Sequence, residues 1–389
     1  MSLQHLPLDQ IKEADLQRLV SDQINESRSI DYKREWRLTG DSDKREFLFD
    51  AASFANAGGG DLVYGIEAKD GVPLSVVGLT GFNSDAEQLR SEETLARGIA
   101  PRLAGVTFQT ILVGSGKTIF IVRIPRSWSA PHMVTFGDAD RFYSRHSTGR
   151  FRLDVTQLRT AFLQSAKVAD RIRDFRLERI SRIAAGEVGV KLWSRVCVVW
   201  HLMPLEEWTE FDYSRLLKLE APYLRPMGNG ISGWGEQINF DGLMIRSILD
   251  KGVVASYVQV FRNGCIEAVL PQPVMEEKKL LFSGYEDEAR VGLHWYRQAL
   301  HALGITPPYF VALSLLNVGG FTMYVNDPIA RLRSSVVIDR PHLLLPEVAV
   351  ESEATSLDEI VRPIFDLVWN ACGFFNSPNF GPDGKWKLG

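Results

Sequence analysis

The hydrophobic and polar positions along the N-terminal part of the chain predict helices and strands in alternation. Apolar side chains recur at helical spacing between Arg45 and Asn56, which predicts an amphipathic helix. The apolar run that follows from Leu62 to Ile66 predicts a strand. Residues 106–113 and 118–124 are both strand-like and flank a short glycine turn, a pattern typical of a β-hairpin. We therefore predict an α/β fold of the mixed, α+β type.

The same analysis divides the chain into three parts. Residues 156–186 carry no proline, end at Gly186 and mix acidic with basic side chains, which predicts a long connecting helix. We accordingly predict an N-terminal domain over 1–155 and a second mixed α/β domain over 187–389. The strands of that domain are expected at 196–205, 255–270, 309–325 and 335–345, with a turn at Asn263–Gly264 and helices at 294–303 and 357–372.

A short charged segment carries the first candidate chemistry. Asp31 and Lys33 lie two residues apart in an extended segment, so their side chains share one face. A carboxylate in this position can hold Mg²⁺ or Mn²⁺, while the ammonium stabilises charge on a phosphate. Glu26 is the candidate for a second metal ligand. The alternative is that Glu26 ends the preceding helix and that Asp31 and Lys33 form an exposed salt bridge.

The glycine-rich segment Asn56–Gly60 follows the predicted helix. Glycines at this point permit positive φ, which suits either a helix C-cap or an anion-binding turn. A dinucleotide-binding fingerprint requires the order strand, glycines, helix. The order here is the reverse, so that class of site is excluded.

Several of these segments occur in the same order as in a known domain family. Together they resemble the Schlafen AlbA-like domain family over about residues 15–165. The matching segments are Glu26–Lys33, Phe54–Gly60, Tyr64–Ile66, Val77–Leu79, Pro101, Ile124–Ser127, Pro131–His132 and Phe142–Arg145. The resemblance implies a Schlafen-like N-terminal domain that engages nucleic acid, and the remaining half of the chain carries no motif that we can place.

The resemblance also implies a site. In relatives that are metal-dependent endoribonucleases, three acidic residues form the catalytic centre, and two of them correspond to Glu26 and Asp31, the expected metal ligands. Lys33 is then the catalytic cation. The third position falls on Ala68, with Glu67 one residue early, so Glu67 needs a bend or bulge to face the metal.

Asp61 and Asp70 are further candidates for the third acid. The expected function is a metal-dependent endoribonuclease that acts on structured RNA such as tRNA, in stress or phage defence. The alternative is a non-catalytic DNA- or RNA-binding transcriptional regulator. RNA is the more strongly expected partner. Because animal relatives place two lobes around their RNA, a degenerate second lobe or a homodimer is expected to complete the cleft.

Arginines and aromatic residues are concentrated between positions 123 and 159. Guanidinium groups interleaved with aromatic rings suit phosphate contacts and base stacking. Ordinary surface charge around a well-packed hairpin is the alternative interpretation. The candidate nucleic-acid-binding residues are Arg123, Arg126, His132, Arg141, Tyr143, Arg145 and Arg150, of which His132 is expected to act through hydrogen bonds rather than as a catalytic base.

A segment that looks like a phosphate-binding loop is better explained as a turn. Gly114–Thr118 resembles the end of a P-loop, but the motif needs a glycine where the chain has Ile111. ATP binding, with which some bacterial relatives are labelled, therefore has no support from these residues.

Composition limits these interpretations. The 389 residues carry a formal net charge of −4, so any nucleic-acid site must be a local patch. The three cysteines are widely separated and form no metal-spaced pair, which favours reduced thiols in a cytoplasmic protein. No signal peptide is evident, and no apolar run approaches the roughly 18 residues of a membrane span, so no membrane association is expected.

Overall fold

A computed structural model describes residues 3, 6, 8–114, 116–137, 140–147, 149–205, 224–228, 234–275, 279–325 and 336–387. The chain forms two compact units, Met1–Asp170 and Arg171–Gly389. The division falls inside a single helix, α4 (Val155–Ala185).

The N-terminal unit alternates helices and strands as the sequence predicts. Its helices are α1 (Glu13–Ser21), α2 (Asp41–Ala55) and α3 (Ser84–Gly98). Its strands are β1 (Ile30–Lys33), β2 (Gly59–Tyr64), β3 (Ile66–Lys69), β4 (Val72–Val76), β5 (Ile99–Ala100), β6 (Thr107–Val113), β7 (Lys117–Pro125), β8 (Met133–Val134), β9 (Arg141–His146) and β10 (Gly149–Arg152).

The central sheet of this unit has the strand order β1-β2-β7-β6. Strands β1 and β2 are parallel, and β7 is antiparallel to both β2 and β6. Strand β2 is buried along its whole length because α2 packs on one face of the sheet and α1 on the other. This explains its continuous apolar run from Leu62, since a strand buried on both faces has no polar side.

The predicted helix and hairpin are both present. Helix α2 begins four residues earlier than predicted, because the Asp43 carboxylate accepts a hydrogen bond from the backbone N–H of Gly40 (3.1 Å) and so satisfies the first turn. Strands β6 and β7 form the predicted hairpin, so the P-loop interpretation of Gly114–Thr118 is excluded by the structure as well. Strands β10, β9, β8 and β5 form a second sheet in that order.

The C-terminal unit is also mixed α/β. Its main sheet has the order β13-β14-β15-β16-β12-β19-β21, with β11 paired to β15 and β22 paired to β19. The strands are β11 (Lys191–Leu192), β12 (Cys197–Pro204), β13 (Trp234–Ile238), β14 (Gly242–Ile248), β15 (Val253–Phe261), β16 (Ile266–Pro271), β17 (Val274–Met275), β18 (Leu280–Leu281), β19 (Tyr309–Leu316), β20 (Thr322–Met323), β21 (His342–Leu344) and β22 (Val348–Val350). Helices α5 (Tyr285–Ala302) and α6 (Leu357–Ala371) bury their apolar faces in the same core as β12 and β19.

The predicted turn at Asn263–Gly264 is confirmed, with Gly264 at φ 78° between β15 and β16. Two predicted strands are longer than the observed ones. The strand predicted at 309–325 ends at Leu316, and of the strand predicted at 335–345 only His342–Leu344 forms a strand. Ser335 lies outside the described residues. Among the helices that the structure describes, none combines the length and the apolar character needed to cross a lipid bilayer.

Candidate functional site

The charged segment predicted from sequence lies against α2. The Lys33 ammonium is 3.4 Å from Asp31 Oδ1, which confirms that the two side chains share a face of β1. It is also 3.3 Å from Oδ2 of Asp50, a buried residue of α2. Lys33 therefore bridges two carboxylates from different elements.

Two arginines of the second sheet complete this group. Arg145, on β9, pairs with Asp31 Oδ2, lies 3.8 Å from Asp50 Oδ1 and stacks over the Phe54 ring. Arg150, on β10, donates to Asp50 Oδ1 at 2.8 Å and to Glu46 at 2.5 Å. We call the residues Asp31, Lys33, Asp50, Arg145 and Arg150 the ion cluster.

Alternating charge makes burial of the ion cluster possible. An isolated buried carboxylate is strongly disfavoured, whereas a carboxylate with cationic partners on both oxygens is compensated. Burial raises the pKa of Asp50, with Asp31 acting in the same sense and Lys33, Arg150 and Arg145 opposing it. Burial lowers the pKa of Lys33, but Asp50 and Asp31 more than offset this and leave it raised.

Glu26 lies at the edge of the ion cluster. Its carboxylate accepts a hydrogen bond from the backbone N–H of Tyr32 (3.2 Å). Burial and the neighbouring Asp31 raise the pKa of Glu26. Its backbone N–H donates to Gly71 in the turn after Asp70, where Asp70 has φ 52°.

Glu67 does not join these acids. A bulge interrupts the pairing of β3 with β4 at Glu67 and Ala68, yet the Glu67 carboxylate pairs with Arg34 and accepts from Ser75 at 3.5 Å. Asp61 likewise pairs with a cation outside the ion cluster. It is fully buried, and its Oδ1 atom lies 2.7 Å from Nε of Arg123. The Glu67 carboxylate is thus held by a cation outside the ion cluster, and its catalytic role stays a prediction.

The carboxylate that sequence reasoning missed is Asp50. It lies in α2 between Phe47 and Phe54, three residues after one and four before the other, on the side of the helix that is buried. An acidic residue inside an apolar helical stripe signals a paired buried charge, because such residues are almost never buried alone.

The residues of the site do not fit a divalent cation. No group of three His, Cys, Asp or Glu side chains that could hold a metal ion occurs in the part of the chain that the structure describes. Both oxygens of Asp31 are paired, one with Lys33 and one with Arg145. A metal ion that binds Asp31 would have to displace these cations, so one of the two expected ligands for Mg²⁺ or Mn²⁺ is already paired.

Three of the predicted nucleic-acid-binding residues are held inside the unit. His132 is fully buried; it contacts the Pro101 carbonyl oxygen (2.7 Å) and Ser127 Oγ (2.5 Å), and burial lowers its pKa. Arg123 pairs with Asp61 and donates to two backbone carbonyls near the N-terminus. Tyr143 is buried against Phe49. His132, Arg123 and Tyr143 therefore have structural roles in the free protein, and their contact with nucleic acid stays a prediction.

Arg145 also has a structural role, because its side chain is only 3% exposed. Arg126 and Arg141 are exposed, and Arg150 is partly exposed. Arg126 follows β7 beside Gly59, while exposed Arg28 donates to the Ala57 carbonyl oxygen at 2.8 Å. The glycine turn is therefore flanked by two arginines.

The hairpin of β9 and β10 has two distinct faces. Arg145 pairs directly with Arg150 across the strands, and Arg152 pairs with Tyr143. Because alternate residues of a strand share a face, Arg141, Arg145, Arg150 and Arg152 all lie on the face that packs toward α2. The two outer members, Arg141 and Arg152, are exposed. We call this surface the arginine face.

The opposite face of the hairpin carries an aromatic pair. The rings of His146 and Phe151 stack at 3.9 Å with an interplanar angle of 11°. His146 is exposed and Phe151 is partly exposed. Stacked rings at an accessible edge provide a surface on which an unpaired base can continue the stack.

A separate cleft of about 520 Å³ lies beyond the carboxyl end of β1. Trp36, Leu79, Phe82 and Lys117 are among its lining residues. It contains no member of the ion cluster, so the candidate chemistry and this cavity are distinct features of the unit.

The C-terminal unit contains a second buried ion cluster. Glu267 is fully buried and accepts two hydrogen bonds from Arg179 (2.8 and 2.9 Å) and one from Tyr257 (2.8 Å). The imidazole of His201 lies 3.1 Å away. Burial raises the pKa of Glu267, but Arg179 and His201 outweigh it and lower that pKa to about 2.

Comparison with known families confirms the resemblance for one part of the chain. Residues 26–154 match the family model Schlafen, AlbA_2. The match spans the ion cluster, the glycine turn and the arginine face. It leaves the C-terminal unit outside the matched segment.

Two solved structures show limited similarity. The DIP2311 protein from Corynebacterium diphtheriae is 18% identical, with a TM-score of 0.26, and the match covers 36% of this chain and 26% of that one. The N-terminal domain of a putative ATP-dependent DNA helicase RecG-related protein from Nitrosomonas europaea is 23% identical, with a TM-score of 0.27, covering 35% of this chain and 88% of that domain. The chain thus spans about a quarter of the length of the first structure. No curated protein matches it.

Proposed function

We propose that the N-terminal unit binds the phosphate backbone of a nucleic acid. RNA such as tRNA is preferred over DNA, and binding requires no divalent cation. A nucleic-acid-related role accords with the Schlafen, AlbA_2 match over residues 26–154. The observation that carries the finer proposal is the arginine face of the β9–β10 hairpin.

The arginine face contains arginines that are fixed by carboxylates and arginines that are exposed to solvent. Its inner members, Arg145 and Arg150, are fixed by the carboxylates of the ion cluster. The outer members, Arg141 and Arg152, reach solvent at the ends of their strands. Guanidinium groups suit this task because they contact phosphate oxygens in a bidentate manner.

The remaining cations extend the same chemistry. Lys33 is 34% exposed and Arg150 is 26% exposed, so both can exchange a carboxylate partner for a phosphate oxygen. The His146–Phe151 stack adds a surface for an unpaired base, which favours RNA loops over regular duplex.

A metal-dependent endoribonuclease is the second candidate. The observation in its favour is the position of Glu26, whose carboxylate binds the backbone N–H of Tyr32 between Asp31 and Lys33 and whose pKa is raised by burial and by the nearby Asp31. The cationic partners on both oxygens of Asp31 argue against it. Cleavage and binding are separable in one experiment, because loss of a metal ligand abolishes cleavage while sparing binding.

The test uses labelled tRNA in EDTA, with binding measured by fluorescence anisotropy and integrity checked on a denaturing gel. The double variant Arg141→Ala/Arg152→Ala should bind roughly tenfold more weakly for each lost contact, about 1.4 kcal/mol each. Arg97→Ala, which removes an exposed arginine of α3, is the matched control and should bind as the wild type does.

Intact tRNA that is bound equally by the wild type and the double variant would contradict the role of the arginine face. Fragments that appear only when Mn²⁺ replaces EDTA, and that Asp31→Asn abolishes, would instead establish the nuclease.

A further inference from the structure

The ion cluster holds two carboxylates together with two bridging cations. We propose that Lys33 and Arg145 are built-in counter-ions that take the place of a divalent cation between Asp31 and Asp50. The wild-type protein should therefore bind neither Mg²⁺ nor Mn²⁺ at these carboxylates. This concerns the free protein and goes beyond the nucleic-acid proposal.

The contacts of the four oxygen atoms support this arrangement. Lys33 lies between Asp31 Oδ1 (3.4 Å) and Asp50 Oδ2 (3.3 Å). Arg145 lies between Asp31 Oδ2 and Asp50 Oδ1, at 3.8 Å from the latter. Each cation therefore contacts one oxygen of each carboxylate, which is the bridging position that a metal ion occupies between two acidic ligands.

The charges are also equivalent. Two carboxylates carry two negative charges, and the two bridging monovalent cations supply the charge of one divalent ion. Arg150, the third cation of the ion cluster, also contacts Asp50 Oδ1 at 2.8 Å. Without such bridging, neighbouring like charges repel and one carboxyl group tends to stay protonated. The protein meets this requirement with its own side chains.

Burial makes the exchange for a metal unfavourable. The side chains of Arg145, Asp50 and Asp31 are 3%, 4% and 7% exposed. Mg²⁺ gives up its water reluctantly and usually keeps several water ligands in a protein site. The ion cluster offers little room for such water, and Arg145 is fixed further by stacking on Phe54.

Lys33 is the bridging residue whose replacement is expected to open a metal site. Its side chain is 34% exposed, far more than those of the other bridging partners. Replacing its ammonium by a neutral amide leaves one edge of both carboxylates uncompensated and open to solvent. Lys33→Gln should thus acquire affinity for Mn²⁺ that depends on Asp31.

The experiment measures Mn²⁺ binding to the full chain by electron paramagnetic resonance of the free ion, without nucleic acid. The wild type should leave Mn²⁺ free at this site, whereas Lys33→Gln should bind one ion at least tenfold more tightly. Lys33→Gln/Asp31→Asn is the matched control and should lose that gain. Circular dichroism establishes that each variant is folded.

Wild-type binding of one Mn²⁺ that Asp31→Asn abolishes would overturn the proposal, as would a folded Lys33→Gln with no gained site. If a variant fails to fold, paramagnetic broadening of the wild-type amide signals of residues 26–33 by Mn²⁺ decides the question. Broadening there contradicts the proposal, and its absence supports it. Neither result depends on whether the protein binds RNA.

Discussion

At the scale of single residues, Asp50 shows how one buried charge organises the N-terminal unit. Its carboxylate forms ion pairs with Lys33 of β1 and with Arg145 and Arg150 of the β9–β10 hairpin. Helix α2 is thereby tied to two different sheets. A residue of this kind is costly to remove, because its partners remain buried without compensation.

We predict that Asp50→Asn lowers the free energy of unfolding of the N-terminal unit by about 3–5 kcal/mol, as expected for a broken buried ion pair. Chemical denaturation measures this loss. Glu93→Gln, at an exposed position of α3, should change stability by less than about 0.5 kcal/mol. Equal stability of the two variants would mean that the ion cluster does not hold α2.

Glu267 leads to a prediction about pH in the C-terminal unit. Its pKa is lowered to about 2 from an ordinary value of 4.5, so its contribution is present above pH 4.5 and is lost as the pH falls toward 2. The corresponding free energy is about 3 kcal/mol. The stability difference between the wild type and Glu267→Gln should therefore shrink across that range.

Urea unfolding at several pH values measures this difference. Glu236→Gln, at an exposed position of β13, serves as the control and should show no such convergence with the wild type. A difference for Glu267→Gln that stays constant between pH 4.5 and 2 would contradict the assignment of Glu267 as an ionised buried residue.

At the scale of elements, the turn between α2 and β2 fixes the ion cluster against the central sheet. A methyl group on Gly60 would lie 2.2 Å from the Phe54 ring and 2.9 Å from the Ser29 carbonyl oxygen. The same group on Gly58 would meet nothing closer than Arg28 at 4.0 Å. Gly58, in the turn, and Gly60, at the start of β2, therefore have different structural requirements.

Gly60→Ala should destabilise the N-terminal unit by about 1–3 kcal/mol through overpacking, whereas Gly58→Ala should be nearly neutral. Thermal unfolding of both variants tests this. Because the Phe54 ring also supports Arg145, Gly60→Ala should weaken RNA binding as well. Similar unfolding midpoints for the two variants would show that the turn adapts freely.

Local sequence patterns account for the elements better than for the site. The helix at 41–55 and the hairpin at 107–125 follow from short-range periodicity and glycine placement. The ion cluster depends on contacts between residues far apart in sequence, such as Asp31 with Arg145. No local pattern determines such a pairing. The apolar stripe of α2 marks Asp50 as a paired buried charge but does not identify its partners, and Glu67 is proposed from the family resemblance.

At the scale of the whole molecule, the net charge of −4 opposes nonspecific attraction to nucleic acid. Binding must come from the local positive charge of the arginine face, so its strength should depend steeply on salt. Each phosphate contact contributes about 0.7 to 0.9 to the slope of log affinity against log salt concentration.

The most direct test of the account is this salt dependence, measured for tRNA in EDTA with the wild type and with Arg141→Ala/Arg152→Ala. The account predicts metal-free binding, and a slope that is smaller by between about 1 and 2 in the double variant, as expected for two lost phosphate contacts. Binding that requires Mn²⁺, or an unchanged slope in the double variant, would contradict it.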